Sequence, residues 1–190
     1  MKTVFLDVDS QLDFLYPAGA LYVPGAERIV GAIARLNRYA ADHGIPVIST
    51  TDAHFENDPE FRQWPPHCVA GTWGQRKAET TLLDRRVAIP NRDCEIEFAP
   101  QMIVEKQTVD VFQAPNLARV IQALEAESFV VYGVVTEICV MYAARGLLKL
   151  RKPLTVVTDA VKELAPNDTL EQLRAAGARL NTLGELLATG

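Results

Sequence analysis

The 190-residue chain contains no apolar run near the roughly 18 residues that a membrane-crossing helix needs, so no membrane association is expected. It also lacks a basic face or run. Its 19 Lys and Arg are outweighed by 24 Asp and Glu, with the signs interspersed and a formal net charge of −5, which makes nucleic acid an unexpected partner. Cysteine is scarce. The three residues, Cys68, Cys94 and Cys139, are odd in number and have no paired spacing, which argues against a disulfide framework. The stretch from Met1 meets an acid already at Asp7, too soon for a secretory leader, so a cytoplasmic protein is expected. Repeats, low-complexity tracts and linkers are absent. What is present, 48% hydrophobic and 23% charged residues, is the composition of one packed domain over residues 1–190.

Strand-like and helix-like segments alternate. Thr3 to Val8, Ile45 to Thr51, Met102 to Glu105, Phe129 to Val135, Leu154 to Thr158 and Ala178 to Thr182 read as about six strands, several apolar enough for burial on both faces. Helical spacing recurs between them, as in Ile29, Ile33, Leu36 and Ala40, and again from about Glu137 to Leu150. Asn167 or Asp168 is placed to cap a further helix. Alternation without hairpin signals predicts a three-layer α/β/α fold around a mainly parallel, doubly wound sheet. Residues 52–100, rich in Pro, Gly, Asp and Asn, read as a long loop insertion, and loops of that length are usually functional.

Ligands of such sheets bind beyond the carboxyl ends of the strands. Those ends carry Asp9, then Asp52 and His54, then Lys106, then Cys139, and finally Asp159. Cys139 falls in the first turn of a helix entered straight from a buried strand, where unpaired N–H groups favour a thiolate over a thiol of pKa about 8.5. Lys106 would add a second positive field, and Asp9 could take the proton. A small buried core residue is the other reading of Cys139, and the residues alone leave both open. Cys68, beside His67, reads as structural, and Cys94 has no assigned role. His54 lies two residues after Asp52, so in extended chain both side chains face one side. With His67 they offer imidazole and carboxylate ligands for a divalent ion, although for the Asp52–His54 pattern by itself purely structural roles are the simpler reading.

These residues lie in a pattern that resembles the isochorismatase-like cysteine hydrolases, and within them the nicotinamidase-type amidases. Asp9-Ser10-Gln11-Leu12-Asp13-Phe14 with Gly19-Ala20-Leu21 and Val23-Pro24-Gly25 is similar to that family's opening motif. Asp52-Ala53-His54 and Trp64-Pro65-Pro66-His67-Cys68-Val69-Ala70-Gly71-Thr72 resemble its metal loop, and Gly133 to Val140 its nucleophile turn. The resemblance implies a catalytic triad of Asp9, Lys106 and Cys139. It implies metal ligands Asp52, His54 and His67, with Glu60 as an added acidic ligand. It also implies a cis peptide between Val134 and Val135, which turns the Val135 N–H, with that of Cys139, toward an oxyanion. Phe14 and Trp64 match aromatics that sandwich a substrate ring; core packing is the simpler role for Phe14.

The activity so implied is hydrolysis of a small carboxamide to carboxylate and ammonia through a thioester. The implied cofactor is a divalent metal, zinc first and iron or manganese next, with no organic cofactor, and the expected assembly is a homo-oligomer. Two departures bear on substrate identity: Gln107-Thr108-Val109-Asp110-Val111-Phe112 follows the lysine, and Glu137 stands where an aspartate is usual. The alternatives are ureido or carbamoyl amide hydrolysis, vinyl-ether cleavage of isochorismate, a metal-water hydrolase in which Cys139 is structural, and a non-enzymatic binding protein.

Overall fold

The structure, a computed structural model, describes residues 2–188. Its strands are β1 (Thr3–Val8), β2 (Val47–Asp52), β3 (Arg86–Ile89), β4 (Gln101–Lys106), β5 (Ser128–Val134), β6 (Leu154–Lys162) and β7 (Arg179–Asn181). They form one sheet in the order β3-β4-β2-β1-β5-β6-β7, with every neighbouring pair parallel. β2 and β5 are buried at every position and β1 at all but its first, so both faces of the sheet's middle need cover. The cover comes from helices α1 (Leu12–Leu15), α2 (Val30–Asp42), α3 (Leu117–Ala123), α4 (Met141–Lys149), α5 (Thr169–Ala175) and α6 (Leu183–Ala188). On α2 the buried positions Ile33, Leu36, Asn37 and Ala40 follow one helical stripe.

The sheet has seven strands where about six were expected. The extra one is β3, inside the stretch read as loop. It pairs with β4 at the sheet's edge, and its exposed first residue, Arg86, preceded by Arg85, hid a four-residue strand. The helix expected around Ile29 to Ala40 begins as a separate 3₁₀ turn, Ala26–Ile29, before α2 proper. At α5, Asn167 rather than Asp168 provides the cap, because Asn167 Oδ1 accepts the Thr169 N–H at 2.9 Å.

Strand order reverses between β1 and β5: the chain builds outward from β1 on one side, then crosses to β5 on the other. The carboxyl ends of these two strands therefore border the crevice where such sheets bind ligands. Their approach depends on Gly133. It has φ 119°, and a Cβ there would lie 2.0 Å from the Val8 carbonyl oxygen, so only glycine lets β5 deliver its end beside Asp9.

Candidate active site

Asp9 follows β1 with φ 46°, a left-handed backbone unusual outside glycine, and its own carboxylate and N–H hold it there. The Thr50 hydroxyl on β2 donates to Asp9 Oδ1 at 2.6 Å and accepts the Asp9 N–H at 3.1 Å. Lys106, the last residue of β4, reaches in from two strands away. Its fully buried ammonium lies 2.9 Å from Asp9 Oδ2, 2.5 Å from Asp52 Oδ1 and 3.9 Å from Cys139 Sγ. Sheet register explains the convergence, since Asp52 and Lys106 are direct partners across β2 and β4.

One buried cation thus faces two carboxylates and a thiol, and its field sets their protonation. Burial pushes Asp9 upward, but Lys106 and the Thr50 hydroxyl outweigh it and hold the carboxyl below its ordinary value. Burial also dominates Asp52, whose pKa is pushed up to about 7 against the pull of Lys106. Lys106 is itself held well above the usual lysine value; burial works against its charge, and Asp52 and Asp9 overcome it. The expectation of a resting thiolate at Cys139 is corrected here. Burial raises the thiol well above its ordinary value, against the pull of Lys106 and with Asp9 and Asp52 adding to the rise. Its local frame also differs from a first α-helical turn: Thr136–Val140 is a π turn, in which Val140 N–H donates to the Val135 carbonyl at 3.1 Å. The resting pair is therefore a thiol beside an ionised carboxylate. The Val134–Val135 peptide is cis.

A second cluster adjoins the first. Asp52, His54 and His67 each offer a ligand atom, all within 4.8 Å of one another, and all three are buried. His67 Nδ1 lies 2.8 Å from the Pro65 carbonyl and His54 Nδ1 lies 3.0 Å from Asp58 Oδ2. The Pro65 carbonyl is an acceptor, so His67 Nδ1 carries the proton and its Nε2 presents a lone pair to a metal; His54 has Asp58 beside its Nδ1, but among the described residues neither of its ring nitrogens makes a hydrogen bond. Burial, with His54 and Lys106 nearby, depresses the His67 pKa and keeps that ring neutral. His54 Nε2 is buried without a hydrogen-bond partner, which for a polar atom is costly unless something else occupies its lone pair. The donor set therefore fits a divalent ion. Glu60 stands at the edge, its Oε1 4.0 Å from His54 Nε2, with burial raising its pKa.

A cavity of about 30 Å³ opens onto Cys139, Asp52 and His67. Phe14, Leu21, Trp64, Val109, Ile138 and Leu164 line it. Phe14 is buried and its ring centroid lies 5.4 Å from that of His67, so this side chain belongs both to the core and to the cavity wall. Asp159, counted among the strand-end residues, is not part of the site. β6 runs on to Lys162, and Asp159 instead accepts the Leu183 N–H at 2.7 Å at the start of α6. Cys68 is buried, with burial raising its thiol far above the ordinary range; Cys94 contacts Asn116 Nδ2 at 3.6 Å away from these groups.

Sequence reasoning quoted Gln11 and Asp13 in a motif without giving them work. Gln11 accepts the Asp52 N–H at 2.7 Å and donates to the Asp52 and Gln75 carbonyls at 2.9 and 2.8 Å, clamping the end of β2. Asp13 accepts the Ala20 N–H at 2.8 Å and the Cys68 N–H at 2.6 Å, while a Cβ on Gly74 would lie 2.2 Å from its carboxyl group. One carboxylate thereby ties the His67–Cys68 segment to two other loops. Asp58 and Phe61 were missed altogether; Phe61 packs 5.2 Å from His54 and 5.7 Å from His67, centroid to centroid. Only the four-residue spacing from His54 to Asp58 could have signalled either.

Residues 3–84 and 90–185 match the isochorismatase domain family. Nicotinamidase of Escherichia coli is 25% identical over 94% of this chain and 93% of its own length. Among solved structures, the pyrazinamidase of Pyrococcus horikoshii in complex with zinc superposes with a TM-score of 0.82 at 27% identity, covering 96% of this chain and 99% of that one. N-carbamoylsarcosine amidase from Thermoplasma acidophilum gives a TM-score of 0.81 at 25% identity, covering 97% and 98%.

Proposed function

The chain belongs to the isochorismatase domain family, and from that premise we propose that it hydrolyses a small uncharged carboxamide to carboxylate and ammonia through a thioester on Cys139. The observation that carries this reading is the buried ammonium of Lys106 placed between an ionised Asp9, Asp52 and the Cys139 thiol. Similarity to nicotinamidase and pyrazinamidase supports the reaction class.

Asp9 removes the Cys139 proton as the sulfur attacks the amide carbon. Lys106 offsets the cost of bringing negative charge onto buried sulfur. The backbone N–H groups of Val135 and Cys139 receive the oxyanion, a contribution typically of about 3–4 kcal/mol per donor. Asp9 then gives its proton to the departing nitrogen, the C–N bond breaks, and ammonia leaves. Water attacks the thioester carbon, Asp9 takes its proton, the C–S bond breaks, and the proton returns to sulfur. Asp52, His54 and His67, with Glu60 beside them, would hold a divalent ion, zinc before iron or manganese. When bound, such an ion supplies a Lewis acid that orients a substrate heteroatom and water. The Pro65 carbonyl holds the His67 ring through Nδ1, and Asp58 lies beside His54 Nδ1.

The acyl side of the cavity carries aromatic and aliphatic side chains. No lysine or arginine lines the cavity, and the nearby Lys106 is already committed to Asp9 and Asp52. A substrate carboxylate would find no cationic side chain in the lining and would have to compete for the divalent ion, which disfavours isochorismate and N-carbamoyl amino acids. Ammonia release from a panel tests the reading. Nicotinamide, pyrazinamide and benzamide are expected to exceed N-carbamoylsarcosine in kcat/KM by at least about 100-fold. The reverse order would overturn the substrate class. Metal analysis of the purified protein is expected to find about one divalent ion per chain and His54→Ala to lose at least about nine-tenths of it; equal metal content in the variant would remove His54 from the ligand set.

A further inference from the structure

At about 30 Å³ the cavity holds one or two water molecules. A carboxamide with any acyl group is larger, so part of the wall must yield when one enters. Half of the wall is fixed, since Phe14, Val23, Asp52, His67, Val135 and Cys139 are buried, and five further lining residues are half-buried. Leu164 is different: it is 38% exposed and lies between the end of β6 and the start of α5, in a segment on the rim of the cavity.

One polar contact ties Leu164 to the nucleophile turn. Its N–H donates to Glu137 Oε1 at 3.0 Å. Glu137 lies in the Thr136–Val140 turn, two residues before Cys139. Among the described residues its carboxylate makes no other hydrogen bond, and Oε2 is buried without a partner. A carboxylate with one oxygen unpaired and the other on a single backbone N–H is poorly explained by stability alone, since the unpaired oxygen is a net cost. The contact does explain why the side chain is long. Glu137 spans from its own turn to the segment after β6.

We propose that Leu164 sets the size of the acyl group that reaches Cys139, and that Glu137 is the positioning residue that holds it over the cavity. The proposal deepens the amidase reading and rests on it for the nature of the group admitted. The steric part stands on the cavity alone. Substrates enter by displacing Leu164 outward, and the Glu137 bond returns it, so the acyl group selected is small or flat.

Alkylation of the native protein tests this without relying on turnover. Rates of modification of the Cys139 peptide by iodoacetamide and by the larger N-phenylmaleimide are followed by mass spectrometry. Comparing the two rates within each variant cancels any change in thiolate fraction. Glu137→Ala is expected to raise the N-phenylmaleimide rate relative to iodoacetamide by about tenfold, the scale of one lost hydrogen bond to a charged group, and Leu164→Ala, which keeps that bond but removes the side chain from the rim, by at least as much. Glu137→Gln keeps an oxygen acceptor and is expected to stay within about twofold of the parent. The ratio of kcat/KM for 1-naphthamide over acetamide should rise in the same order. An unchanged alkylation ratio in both alanine variants would overturn the proposal, as would a Gln variant behaving like Ala. A shifted alkylation ratio in a protein that hydrolyses no amide would overturn the amidase reading and leave the size filter standing.

Discussion

Cys139→Ala is expected to lower kcat for carboxamide hydrolysis by at least about 10⁴-fold, because no other group can form the covalent intermediate. The competing nucleophile would be Cys68, which is buried with its thiol also raised by burial, and whose Sγ faces the Gly74 carbonyl at 3.9 Å. Cys139→Ser should fall nearly as far. A hydroxyl gives up its proton less readily than a thiol, and Asp9 is a weak base held below its ordinary value by Lys106. Initial rates of ammonia release, with folding checked by far-UV circular dichroism, measure both. Retention of more than about a tenth of parental activity by Cys139→Ala would exclude a thioester route.

Lys106→Met carries the second large effect, and it falls on stability as well as rate. The ammonium is fully buried and faces Asp9 and Asp52, which are themselves buried. Removing it leaves two carboxyl groups without a cation in the interior, a loss of about 3–5 kcal/mol for a broken buried pair. In a domain of this size that corresponds to a Tm lower by about 6–20 °C. Denaturant titration of the variant checks the magnitude. Adding Asp52→Asn in the same background should recover part of the loss, because it removes one of the two stranded charges. A Lys106→Met protein as stable as the parent would mean that the carboxylates are not held by this ion pair.

The strand ends were legible because a parallel sheet buried on both faces announces itself as continuous apolar, β-branched runs, and a polar residue closing such a run stands out. Asp9, Lys106 and Cys139 could be picked in this way, although they come from three different strands. β3 was not legible, since an edge strand of four residues beginning with Arg86 has neither length nor continuous hydrophobicity. Asp159 was misplaced for a related reason: β6 passes through it to Ala160 and Val161, both buried. The resting state of Cys139 was misjudged because position at a turn is written in the sequence, whereas burial beside two carboxylates is a property of the assembled site. The supporting residues were the least visible. Asp13 meets Cys68 across 55 positions and Glu137 meets Leu164 across 27, and nothing local marks either pair.

Mass spectrometry of the protein quenched in acid during turnover of a slowly hydrolysed amide tests the central claim most directly. The account predicts an adduct on the Cys139 peptide whose mass is that of the amide less ammonia, labile to hydroxylamine and absent from Cys139→Ala. Steady ammonia release with no adduct at Cys139, undiminished in the Cys139→Ala protein, would contradict it.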